Sequence, residues 1–213
     1  MPDEILDYWM SVAKDLAMRF DIQQFDTSSA MWSWDNFADD IRSLRGKFGI
    51  GDMYAEILGL QLDFETGNAY DVIADKPARS ARLIPHLFYY SKAKDKGVTG
   101  EWVKFNTLRG SWACRFSFDE EDVSKLISVY NEKKGELFEA IERLGGIRVD
   151  FGDAAFEMSF LPKVKVLLIF EEADEEFPAD VRLLYDSNSV LYLPHELLGT
   201  ISWLLAERIV AAI

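Results

Sequence analysis

Six carboxylates crowd one short stretch of the 213-residue chain: Glu171, Glu172, Asp174, Glu175, Glu176 and Asp180, with no basic residue among them and Asp186 following after an apolar run. Hard divalent cations such as Mg²⁺ and Ca²⁺ take clustered oxygen ligands, so Asp174, Glu176 and Asp186 are the candidate metal ligands, and a divalent-metal-dependent enzyme would draw on them. The spacing is not that of a calcium-binding loop. A solvated loop between two strands is the plainer reading of such a run.

The opposite feature lies upstream. Nine basic residues (Lys76, Arg79, Arg82, Lys92, Lys94, Lys96, Lys104, Arg109 and Arg115) stand against only Asp95 and Glu101, and Phe88, Tyr89, Tyr90, Trp102, Phe105 and Trp112 are interleaved with them. Cations beside flat rings attract an anionic planar ligand or an acidic protein partner. Arg79, Arg82, Trp102 and Lys104 are therefore the candidate cofactor-binding residues. The competing reading buries the rings in the core and pairs the bases with the acidic loop. Overall, 23 Lys and Arg against 37 Asp and Glu leave a net charge of −14, which speaks against duplex nucleic acid as a partner.

Familiar catalytic signatures are missing. Gly46, Gly49 and Gly51 lack the following Lys-Ser/Thr of a phosphate loop, and no Gly-x-Ser-x-Gly elbow occurs. His86 and His195 sit in different elements without a neighbouring nucleophile or spaced carboxylate, and His195 beside Pro194 reads as part of a helix start. The single cysteine, Cys114, cannot form an intramolecular disulfide or hold an iron–sulfur cluster from this chain alone. Set between aromatic residues, it reads as a small buried hydrophobe, although Arg109 and Arg115 could lower its thiol pKa. These absences favour a non-enzymatic binding or accessory module over an enzyme.

The elements that must position these groups follow from periodicity. Apolar residues at helical spacing predict a helix over 3–20 and a short second one bearing Phe37, Ile41 and Leu44, with Asp35 as its cap and Thr27-Ser28-Ser29 as a stop between them. The run 54–64, the Thr66-Gly67-Asn68 turn and the alternating 69–73 predict a two- or three-stranded antiparallel start. A helix follows over 79–96, with Pro85 in its first turn or kinking it, then a strand at 102–105. One or two helices carry Val123 to Leu144 and stop at Gly145-Gly146. Strands are expected at 155–160, 164–170 and 181–185, and a closing helix from Pro194 carries Leu197, Leu198, Ile201, Leu204 and Leu205. This is an α+β chain with a largely antiparallel sheet and helices packed at the start, middle and C-terminus. We expect one globular domain over 1–213, with a helical N-terminal region at 1–50 and the α+β region at 51–213. Met1-Pro2-Asp3-Glu4 is acidic where a secretory signal needs basic residues, and the apolar stretch 197–206 falls short of the ~20 residues that cross a bilayer. A cytoplasmic protein without a membrane span is the expectation.

Several blocks also carry a resemblance. Gly100-Glu101-Trp102-Val103-Lys104-Phe105, Phe151-Gly152-Asp153-Ala154-Ala155, Leu161-Pro162-Lys163-Val164, and Asp174-Glu175-Glu176-Phe177-Pro178 through Leu184-Tyr185-Asp186-Ser187 to Tyr192-Leu193-Pro194 are similar to a domain-of-unknown-function family of anaerobic bacteria and archaea. The likeness runs from about Tyr54 onward. Some members of that family are labelled iron–sulfur proteins, and their cluster ligands would come from an attached cysteine-rich module that this chain lacks. The resemblance implies that the acidic block and the Gly-Glu-Trp strand share one architecture, in which Asp174 to Pro178 form the corner between consecutive strands. It also implies a setting in anaerobic redox or one-carbon metabolism, and it carries no catalytic residue.

Overall fold

A computed structural model of the chain describes residues 4–20, 31–109 and 121–213. The expected stop at Thr27-Ser28-Ser29, and Trp112, Cys114 and Arg115, lie outside the described residues. No helix among the described residues is long and apolar enough to cross a membrane.

A two-residue turn begins the first sheet. Leu58 and Gly59 both have positive φ, 50° and 76°, the backbone that lets a two-residue hairpin follow the natural strand twist. They join β1 (Tyr54–Ile57) to β2 (Leu60–Asp63), and β3 (Ala69–Asp71) and β4 (Lys76–Ala78) complete an antiparallel sheet in the order β1-β2-β3-β4. The turn at 66–68 forms because Asp63 Oδ1 accepts from the Glu65 and Thr66 amides, at 3.0 and 2.7 Å, and from the Thr66 hydroxyl. Before this sheet come α1 (Glu4–Phe20) and α2 (Trp34–Arg42). Ser33, not Asp35, occupies the N-cap of α2, and Asp35 falls in the first turn, where the helix dipole favours a carboxylate.

A 3₁₀ turn at Ser80–Arg82 leads into α3 (Ile84–Ser91), where Pro85 starts the helix without kinking it. Next come β5 (Trp102–Val103) and α4 (Glu121–Arg143), whose Lys133 has φ −141° and ψ 43° and divides it into two helical stretches. β6 (Ile147–Val149), a strand that the apolar pattern does not announce, precedes β7 (Ala154–Leu161), β8 (Val164–Glu171) and β9 (Asp180–Asp186). These pair antiparallel in the order β5-β9-β8-β7-β6. The chain is α+β as expected, with its strands divided between two sheets. The helix expected from Pro194 is interrupted at Gly199-Thr200 into α5 (His195–Leu198) and α6 (Ile201–Ala211).

One face of the second sheet presents Phe156, Met158, Val166, Leu168 and Phe170 to the core shared with α4 and α6. Tyr130 of α4 stacks on Phe170 with ring centres 5.0 Å apart, and Phe138 packs on Phe156 at the same distance. The other face gathers Ala155, Leu167 and Ile169 beneath Trp102, Val149 and Leu184. This two-sided cover explains why β7 and β8 read as nearly continuous apolar runs.

The two ends of the fold are joined by an ion pair in the interior. Arg208 of α6 is 3% exposed, and its Nη1 and Nη2 donate to Asp71 Oδ2 and Oδ1 at 2.7 and 2.6 Å, while its Nε donates to the Leu58 carbonyl at 3.0 Å. Asp71 Oδ1 also accepts from the Ile73 and Ala74 amides. The Arg208 hydrogen bonds outweigh desolvation and hold the Asp71 carboxyl at about 2, below its ordinary 3.8. As pH falls, the unfolded chain takes up this proton before the folded one. The stabilisation is therefore whole above about pH 4, is lost as pH falls toward 2, and amounts to about 2 kcal/mol. Removing the cation strands a buried charge, so Arg208→Leu is expected to cost about 3–5 kcal/mol in urea denaturation at neutral pH. The variant should also lose the parent's extra acid sensitivity between pH 4 and 2; an unchanged acid profile would assign the clamp no such role.

Candidate functional site

Arg79 and Arg82 bracket the 3₁₀ turn that follows β4. This turn packs beside α6, so the two arginines open onto a cleft of about 320 Å³ whose other walls include Pro85, His86, Thr200 and Trp203. Arg82 Nη2 pairs with Glu207 Oε2 at 2.8 Å, and its guanidinium lies 5.4 Å from the centre of the Trp203 ring. Both partners of that ion pair are about one-third exposed, so it contributes only about 0–1 kcal/mol and an incoming anion can compete for the guanidinium. Arg79 is exposed and meets no carboxylate among the described residues. Trp203 leaves 46% of its surface open, an unusual state for so large an apolar ring.

The floor of the cleft is neutral. His86 is buried, and burial lowers its pKa to about 4 against a weaker opposing influence of the Arg82 carbonyl, so it carries no charge at neutral pH. Thr200 Oγ1 donates to the Leu197 carbonyl at 2.8 Å and therefore accepts from His86 Nε2 at 2.9 Å. This contact ties α3 to the start of α6. His195 is buried at the start of α5, with its ring 6.3 Å from that of Phe105.

Of the four expected cofactor-binding residues, Arg79 and Arg82 share this cleft, whereas Trp102 and Lys104 do not line it. Trp102 lies on β5 and packs over the outer face of the second sheet; Lys104 is exposed just beyond that strand. Phe88, Tyr89 and Tyr90 are core residues. Trp203 and Glu207 were not singled out in sequence, although a signal was present: both stand outside the apolar stripe of Leu197, Leu198, Ile201, Leu204 and Leu205.

The expected metal ligands are spread apart by strand direction. Asp174 sits in the exposed loop before β9, where its Oδ1 accepts from the Glu176 and Phe177 amides at 2.8 and 2.7 Å. Those two bonds hold its carboxyl below the usual range. Asp186 lies at the other end of β9, and that strand alone spans roughly 20 Å. Glu176 is exposed in the loop with Asp174. Among the described residues no group of three or more His, Cys, Asp and Glu side chains is arranged to hold a metal ion.

The family model described as a domain of unknown function, DUF3786, matches residues 62–208, more than two thirds of the chain, and the chain belongs to that family. The match begins in β2, a little after the Tyr54 start expected from sequence, and ends on Arg208, so both partners of the buried ion pair fall inside it. No curated protein and no solved structure matches the chain.

Asp186, inside the same matched segment, has a structural task. It is fully buried, with Oδ2 accepting from the Thr99 amide, the Thr99 hydroxyl and the Gly100 amide at 2.7–2.8 Å, and Oδ1 accepting from the Asn188 amide at 2.9 Å. Four donors offset the desolvation of the carboxylate and pin the 97–101 segment, from which β5 starts, against β9. Asp186→Ala is expected to destabilise the protein by about 1–3 kcal/mol. Amide exchange at Thr99 and Gly100 should accelerate in that variant; unchanged protection there would dissociate Asp186 from the loop.

Proposed function

We propose that this DUF3786 chain is a non-enzymatic binding module that takes a small anionic ligand into the cleft of Arg79, Arg82 and Trp203, and serves as an accessory to a larger system of anaerobic redox or one-carbon metabolism. The observation that carries the reading is the grouping around one cleft of an arginine that meets no carboxylate among the described residues, a second arginine in a weak, partly exposed pair, and an open indole face. A guanidinium binds carboxylate or phosphate oxygens through two parallel hydrogen bonds, and an indole offers its face to a flat ring. The volume lies at the small end of ligand sites and suits a compact, planar anion. His86 is neutral and engaged with Thr200, which accords with holding a ligand and not with moving its protons. The metabolic setting rests on the likeness of the sequence blocks to proteins of anaerobes.

Calorimetric titration of the full chain with benzoate, phthalate and inorganic phosphate tests this reading. At least one of these anions is expected to bind, and Arg79→Glu should weaken it tenfold or more while the melting temperature stays close to the parent's, because Arg79 is exposed. Trp203→Ala should weaken the two aromatic anions more than phosphate. Failure of all three probes to bind, or equal affinity in the parent and Arg79→Glu, would remove the cleft as the site.

A further inference from the structure

We propose that the outer edge of β1 docks an extended, basic segment of a partner protein, which adds as a fifth strand to the first sheet. This surface is separate from the arginine cleft. β1 ends the sheet order, and its register shows which backbone groups look outward. With a two-residue turn at 58–59, Ile57 and Leu60 form the first hydrogen-bonded pair, Ala55 and Leu62 form the next, and the Phe64 amide continues the series by donating to the Met53 carbonyl at 3.0 Å. Tyr54 and Glu56 lie between these pairs. Their N–H and C=O groups therefore point away from β2, and among the described residues no other backbone takes them.

These outward groups open on a groove of about 600 Å³ formed by the 49–54 turn, Glu56 and Pro162 of the β7–β8 turn. The turn crosses close beneath Pro162: Gly49 has φ +88°, and a Cβ there would come within 2.8 Å of the proline ring. An extended chain laid in the groove would find the unused hydrogen bonds of Tyr54 and Glu56 on one side.

The two edges of this sheet are defended differently. β4 carries Lys76 and Pro77, and proline has no N–H to offer an incoming strand. β1, Tyr-Ala-Glu-Ile, has neither. It instead displays Glu56, with Asp52 in the bend before it, both exposed and with no cation among the residues that form the groove; Glu56 accepts from Gln61 Nε2 at 2.8 Å and meets no cation among the described residues. Beside them Met53 is 72% exposed and Tyr54 40%. Alternation along the strand puts Tyr54 and Glu56 on one face, and Asp52 lies in the bend that leads into it and lines the same groove, so the complementary segment is an extended one with cationic side chains at alternate positions. A second copy of this chain fits poorly. Antiparallel pairing of two β1 edges would bring carboxylates against carboxylates, and each copy carries a net charge of −14.

The probe is a fluorescein-labelled nine-residue peptide alternating lysine and valine, titrated with the full chain and followed by fluorescence polarisation. It is expected to bind, whereas the same peptide with glutamate in place of lysine should not. Two further peptides, N-methylated at every lysine or at every valine, separate strand pairing from general charge attraction: pairing through one edge should lose at least tenfold in only one of them. On the protein side, Glu56→Lys should weaken binding at least tenfold. Glu56→Pro should do the same, since it deletes an outward N–H while leaving the β1–β2 ladder whole, and its melting temperature reports whether the sheet persists. Equal binding of the methylated and unmethylated peptides, absence of binding, or a dimer in sedimentation that Glu56→Pro dissolves would each overturn the proposal. The last of these would assign the edge to a second copy.

Discussion

The arrangement of this fold depends on one buried charge finding its partner. A guanidinium in the interior is tolerated only when it is paired and hydrogen-bonded, and Arg208 meets that condition by binding both oxygens of Asp71 and the Leu58 carbonyl. Three distant pieces of chain are fixed by this one side chain: the β1–β2 turn, the end of β3, and α6. The rotation of α6 about its axis is set at the same time. With Arg208 turned inward, Glu207 and Trp203, four residues apart and hence on one helical face, must look toward the turn at Ser80–Arg82. The arginine cleft is thus a consequence of the clamp.

A second set of constraints acts on the segment that leads into β5. Asp186 draws in Thr99 and Gly100, and Tyr192 receives the Lys96 and Gly97 amides while donating to Asp95 Oδ1 at 2.7 Å. Burial, reinforced by Asp95, raises the Tyr192 hydroxyl to about 12, so it remains a donor throughout the physiological range. Tyr90 does similar work nearby: its hydroxyl donates to the Phe48 carbonyl and accepts from the Lys163 amide. Irregular backbone that runs along the edge of a core is held there when its amides and carbonyls find partners, and tyrosines with an apolar ring and a polar tip suit that purpose. The N-terminal helices are held by the same chemistry, with the Trp9 indole N–H donating to the Val190 carbonyl at 2.7 Å and Lys92 pairing with Asp40 at 2.5 Å. Parts of the chain that precede the family-matched segment are thereby tied to it.

Three cations of the basic segment are engaged with other parts of the fold. Lys92 meets Asp40, Arg82 meets Glu207, and Lys94 lies 4.0 Å from the centre of the Tyr8 ring. Of the described cations in this segment, Arg79 and Arg82 are the two that line one cleft. The acidic groove on β1 is the complementary case: Asp52 and Glu56 occupy an unremarkable stretch of sequence, and only the edge position of the strand makes a surface of them.

Local features were legible in the sequence because each reports on its own neighbourhood. Helical spacing marked α1, the two stretches of α4 and the presence of α3, although α3 spans Ile84–Ser91 and not the expected 79–96, and the choice between Pro85 as start or kink was open; the 66–68 turn marked the β2–β3 hairpin, and unbroken apolar runs marked β7 and β8. Composition and periodicity likewise determined the α+β class. What depends on contacts far apart in the chain was decided only by tertiary structure. The division of strands into two sheets is of this kind, as are the addition of the short β6 and the break at Gly199-Thr200 where α5 and α6 must pack on different surfaces. The acidic residues show the reason most clearly. Asp174 and Asp186 are near neighbours in sequence, but an extended strand lies between them and carries each rise of about 3.3 Å per residue in one direction, so closeness along the chain becomes separation in space. Asp71 and Arg208 show the reverse: 137 positions apart, they meet in the interior because a buried charge needs an opposite charge beside it.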